Sequence, residues 1–497
     1  LVASPPYPSL FELGYTLARL NFWLFGWPLS LAFLPLLRRT REGIAGVDVN
    51  QGGVAQSNIV ARGFNNAFSG SMLMMQDYRF AGVPSLRVNI PLLFTGTNED
   101  IERVEVLLGP ASALFGPNSG NGVLHVISKS PFTSQGTTIT LDGGERSMFR
   151  GSLRTAQTLG TKVGIKLSGE YMRADDFEYN DPGEPDSLTR GGARVANVRD
   201  FAVERMSGEA RLDVRPRDGM ELITTFGATQ IGNGLELTGA NGTAQIRNWR
   251  FMNLQQRFTW NRFFVQGFVN SSDAGNSDST DTRGTYLLRT GQPIVDQSQV
   301  YSLQAQHGFD LGDRATFTYG SDFIYTNPTT GGTINGRNED IDDVIENGVY
   351  AQGQFNLTNR FDILGALRAD QHDQIDGTFL SPRAALVFKP SENQNVRVTY
   401  NRAFNTPANF SFFLDLLAAR NPGPGADAQG RRFHGLPDVD VRVAHDEHVR
   451  SRRAAAYGVG LRLDTPVALL RVDYGRLFSP AAGARPGRWL FGVGHAF

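Results

Sequence analysis

Apolar and polar residues alternate one by one along most of this chain. In "KVGIKLSGEYM", Val163, Ile165, Leu167, Gly169 and Tyr171 share one face while Lys162, Lys166, Ser168 and Glu170 share the other, because successive side chains of a strand point to opposite sides. The same period sets Gly208, Ala210, Leu212 and Val214 against Glu209, Arg211, Asp213 and Arg215. It sets Val349, Ala351, Gly353, Phe355 and Leu357 against Tyr350, Gln352, Gln354 and Asn356, and Val396, Val398, Tyr400 and Phe404 against Arg397, Thr399 and Asn401. These runs last about ten residues or more, the length a tilted strand needs to cross a bilayer. Strands of a soluble sandwich alternate too, but they are usually shorter and turn the apolar face inward.

The connections sharpen the choice. Tight turns are predicted near residues 158–161, 216–219, 260–262, 312–314, 358–360 and 390–395, and long polar loops near 175–204, 231–248, 272–297 and 327–345. Short and long connections therefore take turns along the chain, the layout of an outer-membrane barrel with short periplasmic turns and longer extracellular loops. A soluble propeller predicts no such asymmetry. The fold class expected is all-β: a transmembrane antiparallel β-barrel of about sixteen strands.

Composition narrows the picture. A chain of 497 residues with 40% apolar residues can build a core or a lipid-facing belt, and a net charge of -1 gives no basic footprint for a nucleic-acid partner. With no cysteine, disulfides, thiolate metal sites and a cysteine nucleophile are excluded. The 56 glycines and 34 phenylalanines suit many turns and aromatic-rich strands more than a helical bundle.

Residues 1–42 do not fit. "LNFWLFGWPLSLAFLPLL" is an uncharged apolar run about long enough for a short transmembrane helix. Arg38, Arg39 and Arg41 follow it instead of preceding it, and no A-x-A-like cleavage site is visible, so it is a poor secretory signal. The positive-inside tendency would hold the downstream chain in the cytoplasm. The segment reads as foreign to the rest, a fused or misjoined fragment more than a working anchor.

"DIERVEVLLGPASALFGPNSGNGVLHVISKSP" (residues 100–131) reads as two strands around a turn rich in glycine, proline and asparagine. Glycines 109, 116, 120 and 122 permit a close approach to a surrounding wall. A P-loop is excluded by the spacing and by the lack of G-K-[ST]. Together with "GVDVNQGGVAQSNIVARGF", "MLMMQDYRFAGVP" and the strand "VRVTYNRAFNTPANF", this stretch resembles TonB-dependent receptors over roughly residues 43–420. The resemblance implies uptake of a scarce large solute, such as a ferric siderophore, a cobalamin or an oligosaccharide. In that family a plug fills the barrel lumen, so the resemblance implies a partial N-terminal plug domain in or near the lumen here, and a short N-terminal box engages the TonB complex.

By resemblance, the turns around Asn65, Asn66 and Phe68, and around Tyr78, Arg79 and Phe80, face the extracellular vestibule and bind solute. Contact between plug and barrel is expected at Arg62, Glu102, Arg103 and Glu105. The family usually has an arginine where this chain has Leu108, and that arginine pins plug to wall through carboxylates. The family's plug also has about fifty further residues before "GVDV" with the box ahead of them; residues 1–42 stand in their place and contain no recognisable box.

The other end differs again. "AARNPGPGADAQGRRFHGLPDVDVRVAHDEHVRSRRAA" has no sustained period and reads as a long loop or disordered joint. "YGVGLRLDTPVALLRVDYG" and "RWLFGVGHAF" then resemble the closing strands of the outer-membrane insertase and two-partner secretion superfamily, whose periplasmic domains are absent here. The alternating Phe491, Val493 and terminal Phe497 look like the signal read by the barrel-assembly machinery. The expected divisions are 1–42, an apolar segment; 43–135, partial plug; 136–420, receptor-like barrel strands; 421–453, joint; and 454–497, closing strands.

Chemistry elsewhere is thin. His445 and His448 in "HDEH" lack a third fixed ligand, and the acidic loop "NEDIDDVIE" reads as solvent-facing before it reads as a Ca2+ site. No Ser/His/Asp arrangement has identifiable context. The expectation is a non-enzyme of the Gram-negative outer membrane, with lipid around it and no cofactor or metal. The alternatives are a passive porin-like barrel and a non-functional composite of fused fragments.

Overall fold

The alternating stretches pair into one large antiparallel sheet, and the region ahead of residue 136 folds separately inside its curve. A computed structural model describes residues 47–54, 56–61, 72–109, 111–238, 242–275, 284–391, 394–419, 431–434, 452–464, 469–477 and 487–494. The large sheet begins at Gly136–Gly143 and ends at Gly487–Gly494, with sixteen long strands of eight to eighteen residues, each antiparallel to the next long one, and a two-residue strand, Tyr286–Leu287, paired with Thr243–Trp260. Val163–Asp175 shows the rule: it pairs with Phe149–Leu159 on one side and Ala202–Val214 on the other.

The faces are inverted relative to a soluble protein. Ile165, Leu167, Phe226, Leu254, Leu303, Val349, Leu367 and Val398 are exposed, while Lys166, Arg211, Gln255 and Arg368 are buried on the opposite face. An apolar exterior around a polar interior is the pattern a lipid-embedded sheet requires, since lipid solvates Leu and Phe and cannot solvate Lys or Arg. The face assignment read from alternation is borne out at these positions. Among the described residues no helix is long and apolar enough to cross a membrane, which says nothing of strands.

The tight turns fall where expected, for example between Leu159 and Val163 and between Trp260 and Phe263. One long loop does not. Instead of a polar loop near 231–248, Met220–Leu237 and Thr243–Trp260 run on as paired strands. Ile231, Leu235, Ala244 and Ile246 are buried there, and Leu235 packs with Leu188, Tyr286 and Leu288 from neighbouring loops. That burial comes from remote segments, so local polarity could not announce it.

The inner region carries a four-stranded sheet in the order Arg79–Phe80, Leu73–Gln76, Gly122–Ser128, Ile101–Leu108. A separate hairpin, Val47–Gln51 with Ser57–Ala61, packs against it. Met72, Met74, Leu124 and Val126 anchor their shared core; each buried side chain of this size contributes about 1.5–3 kcal/mol. The stretch from Asp100 to Pro131 is resolved as expected, with Ile101–Leu108 antiparallel to Gly122–Ser128 and the helix Ser112–Phe115 between them. Gly122 has φ +148, and a Cβ there would sit 2.3 Å from the Leu107 carbonyl oxygen, so the second strand can begin there only with glycine.

Candidate functional site

The seam between inner region and wall holds the densest chemistry. Asp100, at the start of its strand, accepts from Arg154 Nε at 2.7 Å and faces Lys166 Nζ at 2.6 Å. Lys166 is fully buried; it also donates to Ser128 Oγ (3.0 Å) and the Lys129 carbonyl (2.9 Å) and lies 3.8 Å from Glu209. Beside it, Arg150 donates to Glu99 (2.8 Å), Glu170 (2.7 Å) and Asp142 (2.7 Å). Burial works to raise the Glu99 carboxyl, but the Arg150 guanidinium outweighs it and holds it below its ordinary value.

Backbone carbonyls extend the seam. Arg205 donates to the carbonyls of Leu92 (2.8 Å) and Phe94 (2.5 Å), and Ser207 to that of Gly96 (2.7 Å). Farther round the wall, Gln255 donates to the Asp77 carbonyl and Gln266 to the Tyr78 carbonyl, while Asn270 donates to Phe80 and accepts from Arg79. These wall side chains supply what the irregular backbone at 77–80 and 92–96 lacks in ladder partners.

Asp77 sits at the centre of this belt. Burial pushes its carboxyl up, yet Arg211, Lys166 and Arg257 together pull it down to about 2. Its Oδ1 accepts from the Ser128 amide at 3.0 Å. Arg79 and Arg87 are both drawn down to about 10 by burial. Arg87 nevertheless pairs with Glu346 on the wall. That ion pair supplies the plug-to-carboxylate link that Leu108 cannot make.

A small folded region ion-paired through its own carboxylates and arginine to the polar face of an inside-out sheet is a plug in a barrel. The chain matches two family descriptions, "TonB-dependent Receptor Plug Domain" over residues 37–123 and "TonB dependent receptor-like, beta-barrel" over residues 173–474. The chain belongs to the TonB-dependent receptor family. This receptor is 22% identical over 405 residues to the vitamin B12 transporter of Vibrio vulnificus, a match covering 76% of this chain and 58% of that relative; it spans less than two thirds of the relative's length. In fold it resembles a variant of the ferric enterobactin receptor of Pseudomonas aeruginosa (15% identity, 94% of this chain and 76% of that one, TM-score 0.60). It also resembles the FrpB iron transporter of Neisseria meningitidis (13% identity, 88% and 69%, TM-score 0.61).

With the family's topology, the short turns mark the periplasmic end and the long loops the extracellular end. This corrects two expectations. Tyr78, Arg79 and Phe80 do not face the extracellular vestibule. Leu73–Gln76 runs parallel to Gly122–Ser128, which leads down into the first wall strand, so the turn after it points to the short-turn end. Tyr78 there packs on Phe264, beside the turn after Trp260, and on His125, Arg79 is buried against Asn270, and Phe80 meets Phe268 edge-on. Glu102, Arg103 and Glu105 do not hold the plug to the wall either. Arg103 pairs with Glu102 at 2.9 Å and Glu105 at 2.7 Å, its own strand neighbours, and all three side chains are well exposed.

The neighbours Glu99 and Asp100 do that work, because the turn Asn98–Asp100 aims them across the seam before the strand begins. Sequence reasoning missed them and their partners Arg150 and Arg154. The available signal was the inward parity of charged residues such as Lys166 and Glu170. Arg62, Asn65, Asn66, Phe68 and Phe497 lie outside the described residues, as do His445 and His448. Phe491 and Val493 lie on the last strand, opposite Val472 and Leu470.

The acidic loop acquires a structural role. Glu339 accepts from the Gly331 amide at 2.7 Å and the Gly332 amide at 3.2 Å, and also bonds Thr330, which commits that carboxylate to a turn. Asp342 is pushed up to about 7 by burial, against the hydrogen bond from Asn335 at 2.6 Å. Among the described residues no three potential ligands gather as a metal site would need.

Proposed function

We propose that this receptor takes up a scarce large solute of the ferric siderophore, cobalamin or oligosaccharide class across the outer membrane, drawing on the TonB complex. The observation that carries this reading is the ion-paired seam, Glu99 and Asp100 against Arg150, Arg154 and Lys166. A passive pore gains nothing from a folded plug bonded into its lumen, whereas a gated transporter needs one. The barrel-assembly machinery inserts the chain, reading Phe491 and Val493 of its last strand together with the terminal Phe497. By the family resemblance, Asn65, Asn66 and Phe68 contact the solute.

The wall closes as a sixteen-stranded barrel in this reading. The sheet order sets Gly487–Gly494 beside Gly136–Gly143, which supports closure, and an even strand count is the rule for single-chain barrels. Plugged transporters of the largest type use about twenty-two strands, so this wall is short by roughly six. The plug spans 43–135 and the receptor-like strands 136–420. A joint at 421–453 precedes insertase-type closing strands at 454–497.

Heat-modifiable gel mobility of protein from an outer-membrane fraction tests closure, because a closed barrel resists detergent until boiled. Uptake of radiolabelled ferric siderophores and cobalamin, with and without TonB, then tests transport. Accumulation lost without TonB is expected. Size-limited, energy-independent leak would overturn the reading in favour of a porin.

A further inference from the structure

One buried carboxylate where plug meets wall has no counter-charge. Asp100 has Arg154 and Lys166, and Glu170 has Arg150 and Arg205. Glu236, at the long-loop end of Met220–Leu237, is only 8% exposed. It makes no hydrogen bond or ion pair among the described residues, and burial alone acts on its carboxyl.

Plain alternation would send this side chain to lipid, since Glu236 shares the parity of the exposed Phe226. The register with Ala202–Val214 shifts between Glu204 and Arg205, opposite residues 231–233, and such a bulge re-aims the side chains beyond it. Glu236 accordingly lines a cavity of about 20 Å³ together with the plug residues Ser57, Asn58, Asn89 and Pro91. Two bonds fix the plug at this point: Gln56 Nε2 donates to the Leu237 carbonyl at 3.0 Å, and Gln56 Oε1 accepts from the Leu237 amide at 2.9 Å. They set Ser57 and Glu236, each next in sequence to a bonded residue, against the same cavity. Ser57 is 5% exposed, and no bond engages its hydroxyl among the described residues.

A carboxylate withdrawn from water without a counter-ion is costly, and a trapped water supplies hydrogen bonds but no charge. The cavity has room for about one or two water-sized groups. Carboxylate, hydroxyl and amide oxygens are acceptors, so the group that satisfies them is a small cation that donates hydrogen bonds. Ca2+ takes about six to eight oxygens, more than these side chains bring. An ammonium group is compact, and its few N–H donors match a carboxylate, a hydroxyl and an amide oxygen.

We propose that Glu236 and Ser57, with the amides of Asn58 and Asn89, form a cation site between plug and wall that takes an ammonium group. The free ammonium ion and the terminal amine of a solute's arm share this chemistry. The site is built by plug and wall residues together and does not rest on the solute class proposed above.

The test is the thermal midpoint of the full chain, folded in detergent micelles at neutral pH, with ammonium chloride, the diamine cadaverine or tetramethylammonium chloride at equal ionic strength. Ammonium is expected to raise the midpoint saturably; tetramethylammonium, bulky and without an N–H, sets the baseline. Glu236→Gln abolishes the rise, and Ser57→Ala raises the half-saturating concentration about tenfold. Glu221→Gln, whose pair with Arg215 lies at a short turn, keeps the full response. In the absence of ammonium, Glu236→Gln is at least as stable as the wild type, because it removes an uncompensated buried charge. A rise with ammonium alone assigns the site to the free ion; a rise with cadaverine assigns it to an amine arm. No saturable rise above the tetramethylammonium baseline, or equal rises in wild type and Glu236→Gln, overturns the proposal. Failure of the transport reading would appear in TonB-dependent accumulation and not in this midpoint.

Discussion

The plug meets two arcs of the wall in different ways. Along the arc from Phe149 to Asp273 it is held by Arg150, Arg154, Lys166 and Arg205 through ion pairs and carbonyl bonds, and by Gln255, Gln266 and Asn270 beyond them. Along the arc from Gln299 to Thr406 the helix Ser112–Phe115 packs on the wall, but polar contacts are fewer among the described residues: Arg87 with Glu346, Asn118 with Thr406, and Ser112 with the Phe404 carbonyl. On the second arc the wall's own charges pair with one another, as Arg368 does with Asp322 and Asp370. The difference teaches that one side of the plug is mounted by buried ion pairs and the other is held mainly by packing, with few polar bonds.

Removing a mount charge breaks this contrast most severely. Asp100→Ala strands the buried Lys166 and Arg154 without their plug carboxylate, and the loss is expected at about 3–5 kcal/mol. Urea unfolding in detergent, followed by tryptophan fluorescence, measures it. A loss no larger than that of a surface substitution would show that the mount is not electrostatic.

Acid should loosen the same arc next. The Asp77 carboxyl is held at about 2 against an ordinary 3.8. A depressed carboxyl contributes stability that is complete above its unfolded value and is lost as the pH falls through its folded value. The contribution, about 2 kcal/mol on the linkage scale, is therefore present above pH 4 and disappears between about pH 4 and pH 2. The stability gap between wild type and Asp77→Asn should be flat from pH 7 to 5 and shrink below 4. A gap constant down to pH 2.5 would remove Asp77 from the account.

The packed side should respond locally. Arg87→Gln, breaking the partly buried pair with Glu346, is expected to cost about 1–2 kcal/mol. Hydrogen exchange should quicken in residues 82–89 while the Asp100 strand stays protected; equal quickening on both arcs would erase the distinction. Smallest of all is Arg103→Ala. Its pairs with Glu102 and Glu105 are exposed, so unfolding should shift by no more than about 0.5 kcal/mol.

The wall was far more legible in the sequence than the seam. Alternation is a local property, so "KVGIKLSGEYM" shows both its lipid face and its polar face unaided. The seam depends on partners remote in sequence: Arg150 reaches Glu99 across 51 positions, Arg205 reaches Leu92 across 113, and Gln255 reaches Asp77 across 178. No local period encodes those pairings. "NED" reads as a polar turn, and only the fold shows that its last two residues aim across the seam. The direction of the Tyr78 turn was hidden for a similar reason, since it is fixed by parallel pairing with Gly122–Ser128, a strand some fifty residues on.

The short connection between plug and wall limits how far the two can part. Ser128 ends the plug sheet and Gly136 opens the wall, with seven residues, 129–135, between them. Fully stretched, that leash reaches about 25 Å, and Lys129 is tied down at one end by its bond to the Glu99 carbonyl. The C-terminal end of the plug is thus moored at the periplasmic rim. A pull from the other end would swing or unravel the plug about that mooring before it drew the domain clear of the wall.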